Sequence, residues 1–436
     1  MLDAIGVSHL DDLFATIPEE VRLSTPPEVA GPLGDEDLRR HFGNLAALNQ
    51  VDRGKSFLGA GAYQHTIPAA VDHLLHRAEF FTVYTPYQPE TSQGTLQAIF
   101  EYQTFISILT GLPVANASLY DGASACAEAV LMSLRVQRKR HRVILAGAIH
   151  PDYREVLATY TRKLDLELVD VGYGEDGRVD AEALEQALDG DTACVLTQSP
   201  NYFGGIEDWQ AISSAADAHG AHSIGVVTEA LSMGLLKSPG ECGCHIAVGE
   251  AQSFGNAMSF GGPSLGFLAA TDKMKRAIPG RLVGETVDVD GRRAYVLTLA
   301  TREQHIRREK ATSNICTNQS LCALAATIYL SLHGRQGLRQ LAELNGRRLA
   351  RLRLGLQSVE GLETAFDAPV FNEMAIRCTD KSMPEVLAGF RDASLLAGHP
   401  LSEQPGVEDC FLTAVTEIHT AEDVDRWLAV AREVAS

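Results

Sequence analysis

The sequence predicts an α/β protein: a large domain built on a mostly parallel sheet, followed by a smaller α+β domain. Three observations carry this expectation. Five short apolar runs lie between residues 142 and 271, and each reads as a strand. Stretches with helical spacing separate several of them, the pattern of strands joined by helical crossovers in a sheet covered on both faces. From about residue 311 the texture changes to long helical segments with an isolated strand run. The chain has 436 residues, enough for two or three folding units.

Taken in order, residues 1–55 read as a helical arm jointed at Pro26, Pro27 and Pro32. The large domain is expected over 56–310. Within it, TPYQPETSQGTLQAIFEYQ (85–103) is a loop feeding a helix. Pro86 and Pro89 fix φ and push the preceding residues into extended geometry, so the loop is stiff. Thr91 or Ser92 can cap the helix, Leu96, Ile99, Phe100 and Gln103 follow its spacing, and Gly111 closes it. RVILAG (142–147), LELVDV (166–171), ACVLTQ (193–198), SIGVVT (223–228) and GFLAAT (266–271) are the expected strands. The stretches 122–137, 180–188 and 208–219 are the helices between them. In the small domain, 311–436, helices are expected over 321–332, 340–356 and 421–435, with a strand at 371–378.

Composition narrows the function classes. A formal net charge of -19 argues against a nucleic-acid partner, which needs a basic face, and disfavours anionic lipid. No apolar run approaches the roughly 18 residues of a membrane span. The start, MLDAIGVSHLDDLF, carries acids where an export signal needs bases. Eight scattered cysteines, most flanked by small apolar residues, read as buried reduced thiols. A cytoplasmic protein is expected.

Several groups could carry chemistry. His73 and His76, near Asp72 and Glu79, share a helix face at metal-ligand spacing, but no third ligand is evident and a solvated face is the expectation. Cys242, Cys244 and His245 lack the spacing of a zinc or redox motif. No nucleophile elbow or phosphate-binding Walker loop is present. Asp121 and Gly122 begin a helix whose free amides could hold an anion. Gly261 and Gly262 lie in SFGGPSLGFLAA (259–270), where glycine permits positive φ and close backbone approach.

Four strings carry a resemblance: SFLGAGAYQHTIPAAVDHLL (56–75), the 85–103 run, VANASLYDGASACAEA (114–129), and the stretch from RLVGETVDVDGRR (281–293) to REQHIRREKATSNICTNQ (302–319). Together they resemble the glycine decarboxylase family, at its N-terminal half or subunit. The resemblance runs over nearly the whole chain. It implies a fold-type I pyridoxal phosphate-dependent transferase-like (aminotransferase-like) large domain, in which a turn like 118–133 cradles the cofactor phosphate. The single-chain form of the enzyme is much longer than this chain, whereas many bacteria and archaea divide it, so the likeness is to subunit 1.

A pyridoxal phosphate enzyme needs a lysine to hold the aldehyde covalently. The corresponding stretch, HIAVGEAQSFGNAMSFGGP (245–263), contains none, and Gln252 or Ser253 occupies the place. Lys237 and Lys273 flank it at the wrong ends. The resemblance therefore implies a chain that binds no cofactor covalently, paired with a lysine-bearing second subunit, two of each. Together they decarboxylate glycine and pass the aminomethyl group to lipoamide on H-protein. Tyr84, Thr85, Tyr87, Gln88, Glu90 and Ser92 are then the wall this chain lends to the shared active site. Asp121, Gly122, Gln252, Ser253, Gly261 and Gly262 mark a pseudo-site. Arg302, His305, Arg307, Arg308 and Lys310 form a basic island suited to an anion or the carrier protein. The chain departs from the family pattern in VVTEALSMG (226–234), which lacks a proline after the acid, and at Gln252–Ala257, where two prolines are missing; a looser turn is expected there. Two alternatives stand beside this reading: a self-contained enzyme using Lys237 or Lys273, and a non-catalytic scaffold or regulatory paralogue.

Overall fold

The computed structural model describes residues 1–49 and 55–435. It divides into a unit spanning Met1–Asp52 and a second spanning Arg53–Ser436. The first holds the short helix α1 (Leu2–Ile5) and α2 (Asp35–Ala47). Asp35, Glu36 and Asp37 crowd the first turn of α2, where acids favour the positive end of the helix dipole. None of the described residues of this unit is buried. Positions 50–54 of the expected 1–55 arm lie outside the described residues.

The second unit runs α3 (Ala69–Leu75), α4 (Ala78–Phe81), α5 (Gln93–Thr110), β1 (Val114–Ala115), α6 (Gly122–Val136), β2 (Arg142–Ala146) and α7 (Pro151–Thr161). It continues β3 (Glu167–Val171), α8 (Ala181–Ala187), β4 (Thr192–Gln198), α9 (Trp209–Ala218), β5 (His222–Val227), β6 (Ile246–Glu250) and β7 (Gly266–Ala270). A hairpin follows, β8 (Leu282–Val287) and β9 (Arg293–Thr298), then α10 (Gln304–Arg307) and α11 (Ser320–Leu356). The chain closes with β10 (Leu362–Thr364), β11 (Glu373–Cys378), α12 (Met383–Asp392), β12 (His399–Pro400), β13 (Cys410–Ala414) and α13 (Ala421–Val434).

Seven strands form one sheet in the order β1-β7-β6-β5-β4-β2-β3. The pairs from β3 across to β6 are parallel, whereas β7 runs antiparallel to β6 and to β1. Alternate residues of β4 feed opposite cores. Cys194 and Leu196 pack with α6 and α7, whereas Val195 packs with α8 and α9. Burial on both faces explains why the inner strands β2, β4 and β5 read as continuous apolar runs; β3, at the edge, is largely exposed. A separate four-stranded antiparallel sheet, β10-β11-β13-β12, packs Met374, Ile376 and Phe411 against Trp427 of α13 and Phe390 of α12.

Each of the five expected strands is present, displaced by at most a residue or two at its ends. The expected helices at 321–332 and 340–356 are the two arms of α11, broken at Gly334, whose φ of 59° lies outside the helical range. The β8–β9 hairpin was not anticipated, although its turn around Gly291 (φ 78°) separates two runs of strand-like residues. Ser92 sits at the N-cap of α5 without a side-chain capping bond, and Thr91 Oγ1 donates instead to Gln88 O at 3.2 Å. The local turn competes successfully for the hydroxyl. Six of the eight cysteines are buried, Cys242 is half-buried and Cys316 is exposed; all are free thiols. Among the described residues no helix is long and apolar enough to cross a membrane.

Candidate functional site

In open α/β sheets ligands bind outside the carboxyl ends of the parallel strands. Here the groups at those ends bond to one another. Asp121 caps α6, its Oδ1 accepting from Ser124 N at 2.7 Å. The Gly122 amide donates to Glu250 Oε2 at 3.0 Å, while Glu250 Oε1 accepts from Gln252 N at 3.0 Å and Leu265 N at 2.7 Å. Burial pushes the Glu250 carboxyl up to about 7, against the pull of these three amides. A Cβ on Gly122 would stand 2.0 Å from the Tyr153 hydroxyl oxygen, so only glycine fits.

Gln252 and Ser253 are both buried beside this carboxylate. Phe254 N donates to Ala251 O at 3.0 Å, Asn256 N to Gln252 O at 3.1 Å, and Asn256 Nδ2 to Cys322 O at 3.3 Å. The turn expected to be loose is thus pinned by its own hydrogen bonds. Gly261 and Gly262 do adopt positive φ, 117° and 135°, but Gly261 has no atom within 4 Å of an added Cβ and Gly262 only Ser264 N. The close approach belongs to Gly266, where a Cβ would lie 2.2 Å from Asp121 O. Lys237 and Lys273 are both exposed.

Next to the carboxyl end of β5, Glu229 joins a buried charge cluster absent from the sequence reading. His65 lies between two carboxylates, its Nε2 3.0 Å from Glu229 Oε2 and its Nδ1 2.8 Å from Glu417 Oε2. Burial works to lower the imidazole, but the two carboxylates outweigh it and raise it to about 10. Glu417 falls to about 2 although burial opposes the shift, because His65 and the Thr66 amide hold its anion. Glu373, accepting from Tyr63 Oη at 2.8 Å and from Ala60 N at 2.6 Å, is pushed by burial to about 7. The cluster fastens residues 60–66 to both sheets.

The second locus is open. A cavity of about 780 Å³ lies between the 85–92 loop, the hairpin and the segment after it. Tyr87 and Pro89 line it from the loop; Arg281, His305, Arg308 and Cys316 line it from the other side. The loop is anchored below by buried Pro86 and by Gln93, whose Nε2 donates to Pro89 O at 2.7 Å and Tyr295 O at 2.9 Å. Gln93 and Gln103 each pair with hairpin backbone in both directions, Gln93 Oε1 accepting from Tyr295 N at 2.8 Å and Gln103 Oε1 from Val283 N at 2.9 Å. Tyr84, Tyr87, Gln88 and Glu90 are exposed, and Thr85 and Ser92 half-buried.

The basic island divides. Arg302 is committed to the fold: its guanidinium donates to the carbonyls of Leu299, Ile278 and Gly280, which occupies it as an anion contact. His305 and Arg308 reach the cavity, His305 with Glu303 Oε2 at 3.6 Å, while Arg307 and Lys310 are exposed. Elsewhere, His76 Nδ1 lies 2.8 Å from Asp72 O, and Cys244 Sγ lies 3.6 Å from Ser213 Oγ. Among the described residues no three metal-ligating side chains gather. Arg281, Glu250 and the His65 cluster were missed because each is a lone residue in sequence whose partners come from distant segments.

Solved structures place this architecture in a class. An apo cysteine desulfurase of Thermococcus onnurineus shares the fold at a TM-score of 0.66 and 15% identity, covering 93% of this chain and 99% of its own. The fold is that of the fold-type I pyridoxal phosphate-dependent enzymes. A crystal structure of glycine decarboxylase (P-protein) of the glycine cleavage system, in inhibitor-bound form, matches with a TM-score of 0.90 at 41% identity, over 100% of this chain and 97% of that one. The family model described as "Glycine cleavage system P-protein" matches residues 1–431, and the chain belongs to that family. Among its relatives, the probable glycine dehydrogenase (decarboxylating) subunit 1 of Desulforamulus reducens is 52% identical over 98% of this chain and 95% of its own. The protein of the same name from Anaeromyxobacter dehalogenans is 48% identical over 99% and 97%.

Proposed function

We propose that this chain is the non-lysine subunit of a two-subunit glycine dehydrogenase (decarboxylating), active only with a pyridoxal phosphate-bearing partner. One observation carries the reading: in a chain matched over its length by subunit 1 proteins, the glycine amide at the start of α6 is already bonded to the chain's own Glu250. The Glu250 carboxylate takes the Gly122 amide that a phosphate would need, and no lysine stands between residues 245 and 263. These residues do not fit the cofactor. The partner is therefore assigned the lysine, and the cofactor it holds supplies the electron sink for loss of the glycine carboxyl group.

This chain contributes surface. The loop bearing Tyr84, Thr85, Tyr87, Gln88, Glu90 and Ser92 is offered to the partner's active site, where phenol, hydroxyl and amide groups orient the reactants. A stiff loop presents them without the entropy cost of ordering. His305, Arg307 and Arg308 remain the candidates for meeting an anion or the lipoylated H-protein, which accepts the aminomethyl group. We assign two copies of each subunit and a cytoplasmic location; the free cysteines support the latter.

Co-expression with a lysine-bearing subunit tests the reading through glycine–CO2 exchange in the presence of H-protein. Exchange by the pair and none by either subunit alone is expected. A borohydride-reducible cofactor adduct on Lys237 of the isolated chain would overturn it, as would stable co-purification without exchange.

A further inference from the structure

We propose that Arg281 is the anchor of an oxyanion site facing the cavity beneath the 85–92 loop, built for a phosphate ester or a carboxylate. Arg281 is only 7% exposed, and no other arginine or lysine among the described residues is classed as buried. Charges so placed are normally paired, because an uncompensated buried cation is costly. Arg281 has no such pairing. Its Nη1 donates to Thr85 Oγ1 at 3.3 Å and Asn318 Oδ1 at 3.4 Å, two neutral oxygens at the long end of hydrogen-bonding range. Among the described residues no carboxylate comes within ion-pair distance of it. The remaining guanidinium donors form a planar fork suited to a two-oxygen anion.

The neighbours hold this fork in place without neutralising it. The Arg281 carbonyl accepts from Ala117 N at 2.9 Å, and Gln103 pins Val283 two residues on. Asn318 Nδ2 donates to Ala117 O and to Ser118 Oγ, both at 3.2 Å, which turns its oxygen toward the arginine. Arg308 adds a second positive charge to the cavity. Two acids also line it, Glu303, paired with His305, and Glu309. Arg302, a short way along the chain, makes the contrast: its guanidinium is spent on three backbone carbonyls.

This inference rests on the shared-site reading, yet one arm of its test does not. The isolated chain is titrated with inorganic phosphate and, separately, with acetate, following thermal stabilisation. Arg281→Met should abolish the stabilisation by the anion that binds, and Arg281→Lys should keep part of it, since charge survives but the fork is lost. In the assembled complex, cofactor retention on dialysis and the KM for glycine separate the sources. Faster cofactor loss at unchanged KM assigns a phosphate; a KM raised about tenfold with retention unchanged assigns a carboxylate, the scale expected for one charged hydrogen bond. If Arg281→Met does not fold, Arg281→Lys decides by the same readouts. No anion stabilisation of the wild-type chain, together with both complex parameters within about twofold of wild type, overturns the proposal. Anion binding lost in the variant, in a chain that supports no exchange with any partner, would sink the shared-site reading and leave the oxyanion site standing.

Discussion

Two regions of this molecule handle polar groups in opposite ways. At the carboxyl ends of the parallel strands, every charge is answered from inside: Glu250 by three backbone amides, His65 by two carboxylates, Glu373 by Tyr63 and Ala60. Beneath the 85–92 loop the reverse holds. Arg281 is buried with neutral neighbours, and Tyr87 stands 70% exposed beside a large cavity. The difference teaches where to look for function in a chain of a known fold. The carboxylates and imidazole at the strand ends are answered within the chain, whereas the buried guanidinium without a counter-charge faces an open cavity.

If that contrast is right, variants in the first region cost stability and variants in the second cost exchange activity. His65→Leu carries the largest expected effect. It strands Glu229 and Glu417 as buried carboxylates without their cation, a loss of about 3–5 kcal/mol. Urea unfolding of the isolated chain measures it, and a change under about 1 kcal/mol would show that the cluster does not hold the fold together. Gly122→Ala forces a methyl against the Tyr153 hydroxyl and should cost about 2 kcal/mol. Unaltered stability there would mean that the crevice has slack.

The pH dependence is a sharper probe of the same region. His65 is raised in the folded state, so its contribution is complete below pH 6.5 and is lost as pH rises toward about 10. Glu250 and Glu373 are raised as well, to about 7, so the folded state holds their protons more tightly than the unfolded chain does. Stability should decline as pH climbs from 4.5 to about 7, and Glu250→Gln should flatten part of that slope. Glu417 acts in the opposite sense, its contribution fading as pH falls from 4.5 toward about 2. A slope in Glu250→Gln equal to that of the wild type would show that Glu250 does not contribute to it.

The smallest effect on stability belongs to the loop. Tyr87→Phe and Gln88→Ala alter exposed side chains and should move unfolding by less than about 0.5 kcal/mol. In the assembled complex either should still slow glycine–CO2 exchange several-fold. Exchange at the wild-type rate for both would make the loop structural and erase the distinction between the two regions.

Much of the fold was legible because the inner strands of the parallel sheet are buried on both faces and are apolar almost throughout, whereas β3, at the sheet edge, is largely exposed. RVILAG, ACVLTQ and SIGVVT could hardly be read otherwise. The β8–β9 hairpin escaped because its strands carry Glu285, Arg293 and Thr298 among their apolar residues. The long α11 matches two helices in the sequence for a sound local reason, since Gly334 does interrupt it. The site was less legible. Tyr87, His305 and Arg308 were singled out separately, and the structure brings them to one cavity. Arg302 belonged to the same string but turns inward, because carbonyls left free after β7 need donors.

By itself, the sequence determined the alternation of strands and helices, the missing lysine between 245 and 263, and the two prolines that restrict the 85–92 loop. These depend on residue type at each position: the burial of a strand, the chemistry of an amine, the ring of a proline. Which charges are answered and which are left waiting was decided only by the tertiary structure. Glu250 meets Gly122 across 128 positions, and Arg281 meets Thr85 across 196. A carboxylate or guanidinium looks the same in sequence whether its partner is present or absent, because pairing and desolvation depend on where the folded chain places the other group.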